Sequence, residues 1–260
     1  MSELKTKSAI SNGYIQDCLD RYGDLMHRNT EESVVTILGA RDGNIGGTIA
    51  YKLKQEGYKD VVCIDRVQHA LDDNSSDLWH LYRQTDILIM CQGYTHIDWI
   101  ENQSYKSIKQ QLNDSLFTHM WQTNQFVQTT LDQPYKKTIV YIGSMAYRNI
   151  LNGSSVYCAA KAGLNMFARC MAWELAPKGY DVYVIHPGNV KNTPMADHTM
   201  KELQRYRGMT SLEAQLYWNT GNPRNTILSA DDIATLVSEI CDDKLTYTAG
   251  NPIDLTGGQR

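Results

Sequence analysis

Val34-Val35-Thr36-Ile37-Leu38-Gly39-Ala40-Arg41-Asp42-Gly43-Asn44-Ile45-Gly46-Gly47 sets the frame for the whole chain. Val34–Leu38 is a short β-branched and aliphatic run, the pattern of a strand buried on both faces. Gly39, Gly43 and Gly46 punctuate the turn after it. Ile45–Gln55 then carries a helical pattern, stopped by Gly57. A glycine-rich strand-to-helix turn lets backbone N–H groups approach a pyrophosphate, and the helix N-terminus adds partial positive charge. Arg41, Asn44 and Ile45 belong to the same turn. The glycines alone also fit a tight turn that serves sterics only. Their place between a strand and a helix is what favours a dinucleotide.

Working outward, further apolar runs at 61–64, 87–91, 138–142, 182–186 and 253–255 read as strands. Helical patterns at 76–82, 105–131, 156–176 and Ala230–Cys241 separate most of them. Strands alternating with helices predict an α/β chain: a Rossmann-type, doubly wound parallel sheet with helices on both faces. The expected organisation is an N-terminal arm over 1–32, then a single domain over 33–260. Asp65 and Arg66 follow the second strand, about 20 residues past the last glycines, where an acidic side chain can accept from adenosine ribose hydroxyls. Asp65 would repel a 2′-phosphate, which favours NAD. Arg41 or Arg66 could pair with that phosphate, which leaves NADP open. Asp65 also fits an ordinary solvated strand-end carboxylate.

The formal net charge of -4 gives no drive toward nucleic acid or an anionic membrane. Charged residues at 21% and apolar residues at 42% place the chain among globular proteins rather than disordered ones. No apolar stretch approaches the roughly 20 residues that span a bilayer. The first 12 residues are polar, with no signal-type apolar core. Six cysteines at 18, 63, 91, 158, 170 and 241 form no CxxC pair. They read as reduced core thiols of a cytoplasmic protein. The seven histidines show no metal-ligand spacing, so no metal is expected.

Tyr157-Cys158-Ala159-Ala160-Lys161 opens the strongest helix. Positions i and i+4 lie one turn apart on one face, so a phenol and an ammonium become neighbours. A free phenol titrates near 10. A cation beside it favours the phenolate, the tuning a general acid–base needs. Ser144 follows the fourth strand, and ligands of such sheets sit outside the carboxyl ends of the strands. Chance alone would produce this Ser/Tyr/Lys spacing in about one such chain in twenty. Its position downstream of the glycine loop gives it weight.

With these residues the chain resembles the short-chain dehydrogenase/reductase family from about Ser33 onward. The resemblance rests on Gly39/Gly43/Gly46, Asp65, Cys91-Gln92-Gly93 and Asn113. It continues through Ser144, Tyr157, Lys161, His186-Pro187-Gly188 and Thr256-Gly257-Gly258. It implies that Tyr157 exchanges a proton with the substrate oxygen and that Ser144 orients that oxygen. Lys161 would hold the nicotinamide ribose, and Asn113 would hold the helix backbone and a relay water. Pro187, Gly188 and Val190 would line the nicotinamide pocket, with Thr193 at the carboxamide. The implied activity is NAD(P)-dependent hydride transfer on an alcohol or carbonyl of a small organic substrate.

Four departures stand out. Asn44-Ile45 widens the glycine loop. Only 27 residues separate Asp65 from Gly93, so the helix and strand usual there are condensed. A short strand near 69–72 would place Asp72 by the adenine. Cys91-Gln92-Gly93 replaces Asn-Ala-Gly, and the segment from Pro187 to Thr193 is one residue longer.

Residues 194–225 fall where relatives carry a substrate lid, and they mix Met, Tyr and Trp with Lys201, Arg205, Arg207 and Arg224. They also fit a helical pair that packs its aromatics inward. Tyr94, His96, Trp99, Tyr147 and Arg148 lie within sequence reach of the pocket. The long helices predict a homo-oligomer, dimer or tetramer. Two further readings remain: a non-catalytic dinucleotide sensor or scaffold, and a nucleotide-sugar-modifying enzyme on the same fold.

Overall fold

The computed structural model describes residues 29–65, 76–219, 222–223 and 227–258. Six strands, β1 (Val34–Leu38), β2 (Asp60–Ile64), β3 (Ile87–Met90), β4 (Lys137–Ile142), β5 (Tyr180–Pro187) and β6 (Pro252–Leu255), form one sheet. Its order is β2-β1-β3-β4-β5-β6, and every pairing is parallel. The helices are α1 (Ile45–Gln55), α2 (Ser76–Gln84), α3 (Tyr105–Leu112), α4 (Thr118–Thr130), α5 (Ser155–Leu175), α6 (Pro194–Arg207), α7 (Ser211–Asn219) and α8 (Ala230–Cys241).

The period-two geometry of the strands builds two cores, one on each face. Ile37, Ile89, Val140 and Ile185 pack with Ile49 and Leu53 of α1 and Ile233 and Val237 of α8. Their sequence neighbours Leu38, Leu88, Tyr141 and Val184 pack with Tyr82 of α2, Phe126 of α4 and Leu164 of α5. Parallel strands need crossovers of fixed hand. The chain turns one way from β1 to β2 and the other way to β3, so a crevice opens beyond the carboxyl ends of β1 and β3. Gly39 and Cys91 sit at its two lips.

Below that crevice, Asp86 bridges three strands. Its carboxylate accepts from Val34 N at 3.1 Å and from Lys137 Nζ at 2.7 Å, and Lys137 also donates to Thr85 O. Both ionic groups are buried, so neither can lose its partner cheaply.

The structure corrects two expectations. The predicted helix at 105–131 is interrupted. Between α3 and α4 lies a wide π-type turn, Asn113–Phe117, where Thr118 N donates to Asn113 O five residues back. Cys63 and Cys170 are exposed rather than in the core. For Cys63 the reason is topological: β2 forms a sheet edge, so one of its faces is poorly covered. The predicted arm lies almost wholly outside the described residues, as do Arg66, Asp72 and the expected strand near 69–72.

Candidate active site

The glycine loop closes on itself. Asn44 caps α1: its Oδ1 accepts from Gly47 N and Arg41 N, and its Nδ2 donates to Gly39 O. Gly39 and Ala40 donate to Ile64 O, which brings the end of β2, and Asp65 after it, beside the loop. Only glycine fits at the crossing point. A Cβ on Gly46 would fall 2.8 Å from Gly39 O, and Gly39 holds φ +78°. The first helical residues, Ile45 and Gly46, have no helical carbonyl to donate to, so their N–H groups are available to an anion.

Arg41, Asn44, Ile45 and Gly46 line one end of a cavity of about 650 Å³. Cys91, Gly93, Pro187, Gly188, Val190 and Thr193 continue its wall, and Ser144 and Tyr157 stand in it. Gly39, Gly43, Asp65, Gln92, Asn113 and Lys161 lie off that wall. Thr193 spends its Oγ1 as the N-cap acceptor of α6, from Ala196 N at 3.2 Å, which leaves its hydroxyl hydrogen free to donate. Gln92 lies against Gly39 with both amide atoms buried and without a protein partner, a donor and an acceptor that suit polar ligand atoms. The cradle, the open N–H groups and Arg41 together fit a dinucleotide.

Ser144 caps the short turn Met145–Tyr147, its Oγ accepting from Ala146 N. Tyr157 and Lys161 both fall on the buried face of α5, with Ala160, Leu164 and Asn165. Burial pushes the Tyr157 phenol up to about 12, against a lowering hydrogen bond from Ser144. The expected lowering by Lys161 is not seen. The ammonium donates instead to Ile142 O at 3.0 Å and stands 5.8 Å from the Tyr157 ring centroid. Burial in turn brings Lys161 down to about 8.

Asn113 opens the π-type turn, where its carbonyl accepts from Thr118 N. Its amide donates to Asp114, and Ser115 makes the inward link. Ser115 Oγ accepts from Tyr94 N at 3.1 Å and donates to Tyr94 O at 2.9 Å, tying the π-type turn to the loop after Gly93. Ser115 is buried, and Asn113 is half buried. Sequence reading passed over Ser115 because a helical serine carries no spacing signal.

It also gave no role to two histidines. His186 Nδ1 lies 3.2 Å from Ser144 N and its Nε2 lies 3.0 Å from Asn165 Oδ1. Burial and the charge of Lys161 hold His186 down at about 4. His119 is fully buried beside Tyr141 with both ring nitrogens unpartnered. Burial, then the Lys161 charge, holds it well below its ordinary value.

The segment 194–225 divides between its two readings. Met195, Leu203, Tyr217 and Trp218 line the cavity, whereas Leu203 and Ala214 also pack on Ile97. Tyr206 meets His96 edge-on. Glu202 binds the helical pair to the loop after β3. It accepts from Ile97 N at 2.8 Å and lies 2.6 Å from His96 Nδ1. Of the aromatic and basic residues expected near the pocket, Tyr94 lines it. Trp99 is half exposed outside it, Tyr147 stacks on His186 at 3.8 Å, and Arg148 pairs with Asp254.

A family model described as short chain dehydrogenase matches residues 76–204, the stretch that carries β3, the π-type turn, Ser144, Tyr157, Lys161 and Pro187. The chain is a short-chain dehydrogenase/reductase. The match starts beyond the glycine loop. It is 24% identical over 251 residues to the 3-oxoacyl-acyl-carrier-protein reductase of Buchnera aphidicola from Schizaphis graminum, covering 88% of this chain and 97% of that one. It is 27% identical over 180 residues to the corresponding reductase of Escherichia coli K12, covering 68% and 67%. Its fold matches the aldohexose dehydrogenase of Thermoplasma acidophilum with a TM-score of 0.73 at 17% identity, over 89% of this chain and 96% of that one. As a family member it is a nicotinamide-dependent oxidoreductase. No helix among the described residues is long and apolar enough to cross a membrane.

Proposed function

We propose that this enzyme interconverts an alcohol and a carbonyl group on a small organic substrate, with Tyr157 as general acid–base. One observation carries the reading. Tyr157 and Ser144 stand together in the wall of the cavity whose other end is the glycine loop, and Lys161 lies one helical turn from Tyr157. A bound nicotinamide cofactor supplies the hydride donor or acceptor.

Within that cavity the substrate oxygen accepts from the Ser144 and Tyr157 hydroxyls, and the Tyr157 proton moves to it or from it. The Ser144 hydrogen bond lowers the phenol against its burial, which favours proton loss from Tyr157 in the oxidative direction, and Lys161 holds the nicotinamide ribose. Gly39, Gly43, Gly46 and the α1 N-terminus hold the pyrophosphate. Asp65 takes the adenosine ribose, so NAD is the favoured form, while Arg41 admits NADP. Pro187, Gly188, Val190 and Thr193 hold the nicotinamide end. Exposed Tyr105, Phe117, Met166 and Trp173 on α3 to α5 support a homo-oligomer, and a monomer mass in light scattering would refute it.

The deciding experiment replaces Tyr157 by Phe. Turnover on a carbonyl and alcohol panel should fall by about 10²–10⁴-fold, with cofactor fluorescence still quenched on binding. A variant as active as the parent would remove Tyr157 from the chemistry.

A further inference from the structure

The cavity has a charge pattern that catalysis does not explain. Its lining contains no aspartate or glutamate among the described residues, in a chain with 29 acidic residues and a net charge of -4. Two arginines line it. Arg41 belongs to the glycine loop, and the cofactor's phosphates account for it. Arg207, the last residue of α6, sits among the substrate-side residues and has no such explanation.

Its guanidinium is held without being neutralised. One nitrogen donates to the carbonyl of Asn152, in the loop before α5, and the plane lies over the Tyr217 ring at 5.3 Å from its centroid. Neither partner carries negative charge. Other arginines of this chain do have acids: Arg83 has Asp132 and Arg148 has Asp254. The nearby carboxylate of Glu202 is buried and already engaged by Ile97 N and His96. A guanidinium has five donors in a rigid fork that fits a carboxylate or phosphate through two parallel bonds. The wall that Arg207 shares with the catalytic hydroxyls includes the apolar side chains of Ile97, Leu151, Met195 and Leu203.

We infer that Arg207 anchors an anionic group of the substrate, a carboxylate or phosphate, so that this reductase acts on amphipathic organic anions rather than neutral carbonyl compounds. The inference rests on the proposed alcohol–carbonyl chemistry, and it fixes which end of the substrate faces away from Tyr157. Contacts with the ring and the carbonyl preorganise the guanidinium, which lowers the ordering cost of binding.

Binding without turnover separates this inference from the reaction itself. Tyr157→Phe enzyme saturated with cofactor, so that the Arg41 end is filled, is titrated calorimetrically with 4-phenylbutyrate, phenyl phosphate and neutral 4-phenylbutanol. At least one anion should bind about tenfold or more tighter than the alcohol. Which of the two wins distinguishes carboxylate from phosphate. Added salt should weaken the anion and leave the alcohol unchanged. Arg207→Met in the same background should remove the advantage, and Arg207→Lys should keep part of it. Equal binding of anions and alcohol, anion binding that ignores salt, or an advantage that survives in Arg207→Met overturns the proposal. If anions bind as expected while the parent enzyme turns over no carbonyl compound, the chemistry is wrong and the anion site stands.

Discussion

His186 sits where a side chain on Gly143 would be: a Cβ built there lies 2.3 Å from His186 Nδ1. The imidazole fills the space behind the catalytic strand end and is held at both nitrogens. Nε2 lies 3.0 Å from Asn165 Oδ1, and Nδ1 lies 3.2 Å from Ser144 N and 3.1 Å from Ser144 O. Ser144 is thereby held from a neighbouring strand and from the helix that carries Tyr157. Gly143→Ala should destabilise the fold by about 2 kcal/mol or more, because the contact is with a ring fixed at both nitrogens. His186→Ala in the same protein should restore part of that loss, with a coupling of about 0.5–3 kcal/mol in urea unfolding. Strictly additive losses would show that the two residues do not compete for space.

Stability should fall on mild acidification. His186 titrates at about 4 in the fold, and His119 lies well below its ordinary value. Both folded values are depressed, so protonation favours the unfolded chain. Their contribution is complete above the unfolded value of about 6.5 and is lost as pH falls from there toward 4. The urea midpoint should decline from pH 7 to pH 5, and His119→Leu should flatten part of the decline. A midpoint that is level across this range in the parent would contradict two buried neutral imidazoles.

Cofactor affinity should weaken in alkali. Lys161 is brought to about 8 by burial, so it loses its proton as pH rises through that value. NAD(H) dissociation constants, read by fluorescence from pH 7 to pH 9, should rise across the window. Lys161→Met should bind about tenfold more weakly at pH 7, for one lost charged hydrogen bond, with no further change up to pH 9. A parallel pH response in the variant would assign the titration to another group.

Ser115 should act as a positioning residue. Removing its hydroxyl leaves both Tyr94 N and Tyr94 O without a partner. Ser115→Ala should cost about 1–3 kcal/mol in stability and raise KM for the carbonyl substrate, since Tyr94 lines the cavity. Asn113→Ala should leave KM unchanged. The reverse pattern would return the role to Asn113.

Backbone periodicity made the fold legible in the sequence. The runs at Val34–Leu38 and Ile45–Gln55, with the glycines between them, fix a strand, a tight turn and a helix by local geometry, and both observed elements keep those bounds. The Tyr157 and Lys161 pairing is equally local, since 3.6 residues per turn puts i and i+4 on one face whatever surrounds them. The break at Asn113–Phe117 was not legible. Residues 105–131 carry a continuous helical pattern, whereas the wider turn is tied through Ser115 to the loop at Tyr94, a partner distant in sequence.

By itself, then, the sequence determined the parallel sheet, the glycine cradle and the candidate catalytic pair, all properties of neighbours along the chain. Tertiary structure decided the rest. It tied Ser115 to the loop at Tyr94, placed His186 behind Ser144 across 42 residues, and clamped Glu202 to His96 across 106. It also gathered around Arg207 a cavity lining with no acid among the described residues. Such pairings depend on which strand ends and loops the sheet order brings together. Polar side chains far apart in sequence leave no periodic trace of the partner they will meet.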